Sequence, residues 1–264
     1  MQNLVQARKQ SQSLGEPLSL PIQGLYDHDI HIRKGQVTMV AAAPGSGKSM
    51  LVQALLHAGR GGRKNTVLYF SADSGPEVMH ERAGALSTDL DQGTIREMTE
   101  RGNTATVDAA IQVKHSHVTY SFRGSPSEDY IIDELTAYVE LHGRFPEAIV
   151  VDNIKDLADD EDADEFRALE DAVMFMKDMA RDTGAAVIGL HHVAGHLEDG
   201  ESPIPLSGIR GKISKTPALI LTLYRPSSEV LRVSVVKNRN GKAEASGGFW
   251  IPLSIEPGRM KFRG

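Results

Sequence analysis

The 264-residue chain contains no cysteine, which excludes a disulfide framework and a thiolate metal site and fits a reducing compartment. It has no apolar run approaching bilayer length, and residues 1–10 are polar. Neither a membrane span nor a signal peptide is therefore expected, and the protein reads as cytoplasmic with no membrane partner. Net positive charge is missing too: 29 Lys and Arg stand against 35 Asp and Glu, a formal charge of −6. Any contact with nucleic acid must come from a local basic patch, concentrated by oligomerisation. Hydrophobic residues make up 40%, enough for one large α/β domain but cramped for two.

The strongest pattern spans residues 37–56. The apolar run Val37, Thr38, Met39, Val40 leads into Ala42, Ala43, Pro44, Gly45, Ser46, Gly47, Lys48 and Ser49, and Met50, Leu51, Val52, Leu55 and Leu56 follow with helical spacing. This is the strand, phosphate loop and helix of a nucleotide-binding unit. Pro44, Gly45 and Gly47 let the backbone curl so that successive N–H groups point inward, and the new helix adds its positive end. Residues Ala43, Pro44, Gly45, Ser46, Gly47, Lys48, Ser49 and Met50 are the expected cradle for ATP. Lys48 reaches toward the β and γ phosphates, and the Ser49 hydroxyl is a ligand for Mg²⁺. Ala42 occupies the first position of the pattern, where glycine is usual.

Residues 1–19 read as a polar arm with Leu4, Val5, Leu14 and Leu18 as anchors, either frayed or docked on a neighbouring subunit, and residues 20–264 as the catalytic domain. Pro17, Pro21 and Gly24 are expected to break any helix there, and Ile30, His31, Ile32 alternate like an edge strand. A second buried strand over 66–71 has Asp73 at its carboxyl end, where ligands of parallel sheets gather; a helix-initiating Asp is the other reading. Residues 94–101 suit a helix, 117–120 a strand and 131–139 an amphipathic helix. The buried run 148–151 ends in Asp152, which is placed beside the Mg²⁺ on Ser49. An acidic block at 159–165 reads as a solvated segment.

A helix over 166–182 precedes a buried strand over 185–190, which delivers His191 and His192 to the same sheet edge. His192 and His196 are four apart, but Ala194 and Gly195 do not favour a helix that would make them a metal pair. A γ-phosphate sensor at His192 is the better reading, with His191 and His196 as loop histidines. The stretch 205–215 gathers Arg210, Lys212 and Lys215 in a basic loop suited to a phosphodiester backbone, or to plain solvent exposure, with Glu198, Asp199 and Glu201 just before it. Runs 218–224, 230–236 and 248–255 read as consecutive strands. Residues 237–242 form a basic hairpin turn around Asn240-Gly241, and Tyr224 and Arg225 are positioned to stack on a base.

In this order the features resemble the ATPase core of replicative hexameric helicases of the DnaB type. The resemblance runs from about Gly15 to the end and covers the loop 42–49, Phe70-Ser71-Ala72-Asp73 and Val150-Val151-Asp152-Asn153-Ile154. It continues through the helix 175–180 leading to 187–192, Ile209-Arg210-Gly211 and Lys237-Asn238-Arg239-Asn240-Gly241. It implies an α/β fold, a RecA-like P-loop NTPase with a mostly parallel central sheet flanked by helices and an antiparallel C-terminal extension. It further implies a hexameric ring acting on single-stranded DNA, with Lys237 and Arg239 contacting the γ-phosphate of the next subunit's nucleotide, His192 as sensor, and the loop of Arg210 and Lys212 lining the DNA channel. Asp73 stands where the family usually has Glu, leaving Glu77 as an alternative carboxylate. The family's helical amino-terminal domain has no counterpart, so primase binding through it is not expected. A RecA-type filament on single strands and a nucleotide-gated scaffold remain alternatives, because the same core serves rings and filaments.

Overall fold

Strands that are apolar on both faces must be covered on both faces, and that requirement sets the architecture. The computed structural model describes residues 15–157, 165–193, 197, 199–209 and 212–264. Within them β1 (Val37–Ala42), β2 (Val67–Ser71), β4 (Ala148–Asp152) and β5 (Ala186–His192) are buried along almost their whole length. With the shorter β3 (Val118–Ser121) and β6 (Leu219–Ser227) they pair in parallel. Then β7 (Val230–Asn238), β8 (Trp250–Glu256) and β9 (Lys261–Arg263) add antiparallel strands at one side. The sheet order among the described residues is β3-β2-β4-β5-β1-β6-β7-β8-β9. Strand β8 alternates exposed and buried residues, as an antiparallel strand with one solvated face does. The expected fold class is therefore the observed one.

Alternate strand residues feed two cores. Val150 packs with Leu51 and Leu55 of α2 (Lys48–His57) on one face. Val151 packs on the other with Leu135 of α6 (Glu128–His142) and Leu169, Val173 and Met176 of α7 (Glu165–Thr183). The last three recur at helical spacing, which gives α7 its buried stripe. Helices α3 (Pro76–Thr88), α4 (Gln92–Glu100) and α5 (Ala105–Lys114) enclose a third, small core of Ala85, Ile95, Val107 and Met260. Asp91 and Ser127 cap α4 and α6 by accepting from the N–H groups of Gly93 and Tyr130. Among the described residues no helix is long and apolar enough to cross a membrane.

Several local expectations are corrected. The segment 30–32 is not a strand; its neighbour Arg33 makes an isolated bridge with Pro17, and Leu18 N–H donates to the Ile32 carbonyl. The proline-flanked stretch holds a five-residue helix, α1 (Gln23–Asp27), because Leu25 docks into the core and outweighs the poor local propensity. Leu18 is itself 1% exposed within that core. The frayed or docked arm lies for residues 1–14 outside the described residues, as does nearly all of the acidic block at 159–165. No tight Asn-Gly hairpin joins β7 and β8: β7 continues to Asn238, and residues 239–249 connect the two.

Candidate nucleotide site

Strand β1 ends at Ala42, between β5 and β6, and the chain turns through residues 43–47 into α2. Gly45 and Gly47 take φ of +72° and +96°, a left-handed backbone that only glycine adopts freely. Pro44 and Gly45 are exposed on the crest, while Ala43 and Ser46 are buried beneath it. Gly47 caps α2 at its N-terminus without a side chain, leaving the first N–H groups of the helix directed outward.

Lys48 is 5% exposed. Its Nζ donates to His192 Nδ1 at 2.9 Å and lies 3.4 Å from the carbonyls of Ala42 and Ala43. Burial lowers its pKa to about 8, against the opposing pull of the Asp152 and Asp73 charges. His192 is in register with Ala42 across β5 and β1. Burial also lowers its pKa, helped by the Lys48 charge and opposed by Asp73, Asp152 and Asp156, so the ring is a neutral acceptor facing a cation. His191, expected as a loop histidine, is instead a buried strand residue with its pKa lowered by burial to about 4, because β5 runs two residues further than its apolar pattern shows. His196 lies outside the described residues. Among those residues no cluster of three His, Asp or Glu side chains could hold a metal ion.

Asp152 sits at the carboxyl end of β4, paired with Ser71. Its Oδ2 accepts a 2.7 Å bond from the buried Tyr69 hydroxyl, and its Oδ1, though buried, has no hydrogen-bond partner. Burial raises its pKa, offset in part by the Tyr69 and Ser49 hydroxyls. A carboxylate oxygen left open beside a serine hydroxyl is a hard-oxygen donor set of the kind Mg²⁺ takes; the residues present fit that ion.

Of these groups Lys48, Ser49 and His192 line one cleft of about 380 Å³, formed with Gly45, Gly47, Met50, Asp73, Arg82, Gln92, Arg225, Pro257, Gly258 and Met260; Asp152 is not part of its wall. Asp73 belongs to its wall and Glu77 does not. Arg225 lines the cleft, but Tyr224 is 1% exposed under Arg232 and offers no face to a base, a correction that follows from β6 running through residue 227.

Four contributors were not legible beforehand as site residues. Tyr69 carried a usable signal, since a hydroxyl in a fully buried run needs a partner. Arg82 has a buried, unpartnered Nη1; its neighbour Glu81 is taken by Arg96 at 2.7 Å. Gln92 ties α4 to the terminal turn by donating to the Pro257 carbonyl at 3.0 Å, and Met260 closes the same wall, contacts no local pattern reveals.

Other expected residues lie elsewhere. Strand β7 runs antiparallel to β6 and ends beside its start, Asn238 pairing with Leu219. Lys237 and Arg239 therefore sit at the amino-terminal edge of the parallel strands, opposite the phosphate loop, about 20 Å away by the six-residue length of β1. There Lys237 Nζ donates to the Ser214 and Lys215 carbonyls at 2.6 and 2.7 Å, and Arg239 donates to Lys215 at 2.7 Å. Lys212 and Lys215 are exposed on a short 3₁₀ turn, Lys212–Lys215, and Arg210 lies outside the described residues. Two of the acidic residues thought to flank that basic stretch, Asp199 and Glu201, are at the other edge, and Glu198 lies outside the described residues: Gly200, between Asp199 and Glu201, accepts from Arg225 N–H and packs so tightly that a Cβ would stand 2.7 Å from Ser46 Oγ.

Residues 7–196 match the model of a family described as AAA domain. The chain belongs to that family. The AAA domain is 39% identical over 251 residues to the Gene 65 protein of Mycobacterium phage L5, covering 92% of this chain and 91% of that protein. It is 37% identical over 227 residues to the Gene 65 protein of Mycobacterium phage D29, covering 83% and 95%. Its fold is that of DnaB-like helicase ATPase domains. It matches one such solved ATPase domain with a TM-score of 0.79 at 17% identity over 99% of this chain and 96% of that one. It matches a DnaB-like replicative helicase, studied with its primase interactions, with a TM-score of 0.78 at 15% identity, covering 98% of this chain and 64% of that one.

Proposed function

We propose that this AAA domain hydrolyses ATP with Mg²⁺ as part of a ring, hexameric as in the DnaB-type resemblance, that moves along or unwinds single-stranded DNA. The observation that carries the reading is the division of the machinery between opposite sheet edges. A cradle stands at the carboxyl ends of the parallel strands, and two cations, Lys237 and Arg239, stand about 20 Å away at their amino ends. No rotamer brings that arginine to its own chain's phosphate loop, whereas an adjacent copy stacked edge to edge would be within reach.

The loop N–H groups and Lys48 bind the phosphates, Met50 and Arg225 border the nucleoside, and Ser49 and Asp152 hold the metal. Bound Mg²⁺ supplies neutralisation of phosphate charge. Asp73 orients the attacking water and accepts its proton, the P–O bond to ADP breaks, and Lys48 stabilises the charge that grows on the leaving oxygen. His192, bonded to Lys48 while no phosphate is bound, reports the terminal phosphate when the lysine turns to it. The neighbour's Lys237 and Arg239 meet the charge on the transferring group, while the basic residues Arg210, Lys212 and Lys215 serve to bind the strand. Mixing Arg239→Ala chains with Lys48→Ala chains tests the shared site: hydrolysis above the sum of the separate variants is expected, and no gain from two well-folded variants refutes it.

A further inference from the structure

A second cavity, of about 260 Å³, opens at the amino-terminal sheet edge. Its wall carries three cations, Lys177 and Arg181 from α7 and Arg239 from the end of β7, with the polar side chains of Gln36, Thr216 and Asn240 and no carboxylate. Lys177 and Arg181 make no ion pair or side-chain hydrogen bond within the described residues, and Arg239 bonds only the Lys215 carbonyl. Asn240 is held in place by donating to Gln36 Oε1 at 3.0 Å. Three unpaired positive charges around one hollow repel each other, and the same crowding, from Arg239, adds to burial in holding the nearby Lys237 at about 8.

The arrangement of α7 produces this segregation. Lys177 and Arg181 are four apart and share one face. Asp178 and Asp182, each one residue further on, turn about 100° away and line an apolar groove with Ile132 and Val139 instead. In a chain of net charge −6, the last turns of the helix present Lys177 and Arg181 to the hollow and Asp178 and Asp182 elsewhere.

We propose that this cavity is a second oxyanion site, separate from the phosphate loop, in which Lys177 and Arg181 join Arg239 in binding a terminal phosphoryl group. The hollow is compact and lacks aromatic side chains, whereas strand binding uses a continuous groove with stacking platforms. A phosphoryl group can come from two sources: the nucleotide held by an adjacent copy, which rests on the shared-site reading above, or free inorganic phosphate, which does not.

Inorganic tripolyphosphate titrated calorimetrically into the Lys48→Ala protein, whose loop is disabled, tests the site directly. Binding is expected, weakened at least tenfold in Lys48→Ala/Lys177→Gln/Arg181→Gln and unchanged in Lys48→Ala/Asp178→Asn/Asp182→Asn, with melting temperatures alike. No binding, or binding indifferent to Lys177 and Arg181, overturns the proposal, as does tighter binding of an oligothymidylate at the same residues. The source follows from hydrolysis by the Lys177→Gln/Arg181→Gln chain. A neighbour's nucleotide predicts at least a tenfold loss of kcat, restored by mixing with Lys48→Ala chains, which carry intact cations. Free phosphate predicts tripolyphosphate binding lost while hydrolysis is unchanged. The titration stands whether or not copies share a site, so it fails separately from the ring reading.

Discussion

Tyr69→Phe removes one oxygen from the interior and should be felt at the proposed metal site. The Tyr69 hydroxyl is buried and donates to Asp152 Oδ2 at 2.7 Å, while Oδ1 of the same carboxylate has no partner. Without the hydroxyl, Oδ2 of a carboxylate in a buried site loses its 2.7 Å bond. Hydrogen bonds to charged groups contribute about 1.5–3 kcal/mol, and for a chain of this size each kcal/mol moves the melting temperature by roughly 2–4 °C. A fall of about 3–12 °C is therefore expected near neutral pH without nucleotide. The sign with pH follows from Asp152, whose native pKa is raised above its ordinary value by burial. Its protonation favours the fold, so that contribution is fully present below the ordinary carboxylate pKa and is lost as pH rises through the raised native value. Tyr69 lowers that native value, so its loss moves Asp152 higher still. The gap between wild type and variant should narrow in acid, where a neutral carboxyl loses about 1 kcal/mol, and open toward neutrality. Scanning calorimetry from acid to neutral pH, with a Mg²⁺ titration of ADP affinity, measures both effects. An unchanged melting temperature, a gap that does not vary with pH, or an unaltered Mg²⁺ requirement would refute the coupling of Tyr69 to Asp152.

Other consequences are simpler to read. Lys48, at about 8 without phosphate, should return toward its ordinary value when an anion fills the loop, a shift visible in the NMR signal of its Nζ on adding ADP; no movement would separate the lysine from the phosphates. Its depressed native pKa also makes the nucleotide-free protein gain stability relative to Lys48→Met as pH rises from 8 toward the ordinary lysine value, checked by melting curves. His57 and His115 share a 2.8 Å Nδ1 contact and sit at about 4 and about 3, chiefly through burial. Neutral in the fold, they bind no proton where the unfolded chain does, so stability should fall as pH drops from the ordinary histidine value of 6.5 toward 4. The fall should be shallower in His57→Asn. Leu18→Ala should cost about 2–5 kcal/mol by denaturant unfolding, as for other buried leucines, and a cost below about 1 kcal/mol would detach that segment from the core.

Local chemistry was enough to reveal the phosphate loop, the buried strands and the carboxylate at the end of β4. Each depends on short-range rules: glycine where φ is positive, apolar runs for strands covered on both faces, and ligand groups at carboxyl ends. Thus Lys48, Ser49, Asp73, Asp152 and His192 were candidates before their proximity was known. Short apolar alternation misled at 30–32, and Asn240-Gly241 misled as a hairpin, because sheet register overrode weak local preference. Contacts that join distant segments were beyond reach of any window: Gln92 meeting Pro257, Gly200 packed on Ser46, and Arg82 turned into the cleft while Glu81 turned to Arg96.

What the amino-acid order alone determined is which residues are candidates to hold a phosphate and a metal, since that follows from residue type within a strand-turn-helix unit. Only the tertiary structure decided where the cations stand. The antiparallel return of β7 carries Arg239 to the far edge of the sheet, and the pitch of α7 turns Lys177 and Arg181 toward it. Edge and facing are properties of packed strands and helices in three dimensions, which a linear pattern does not contain.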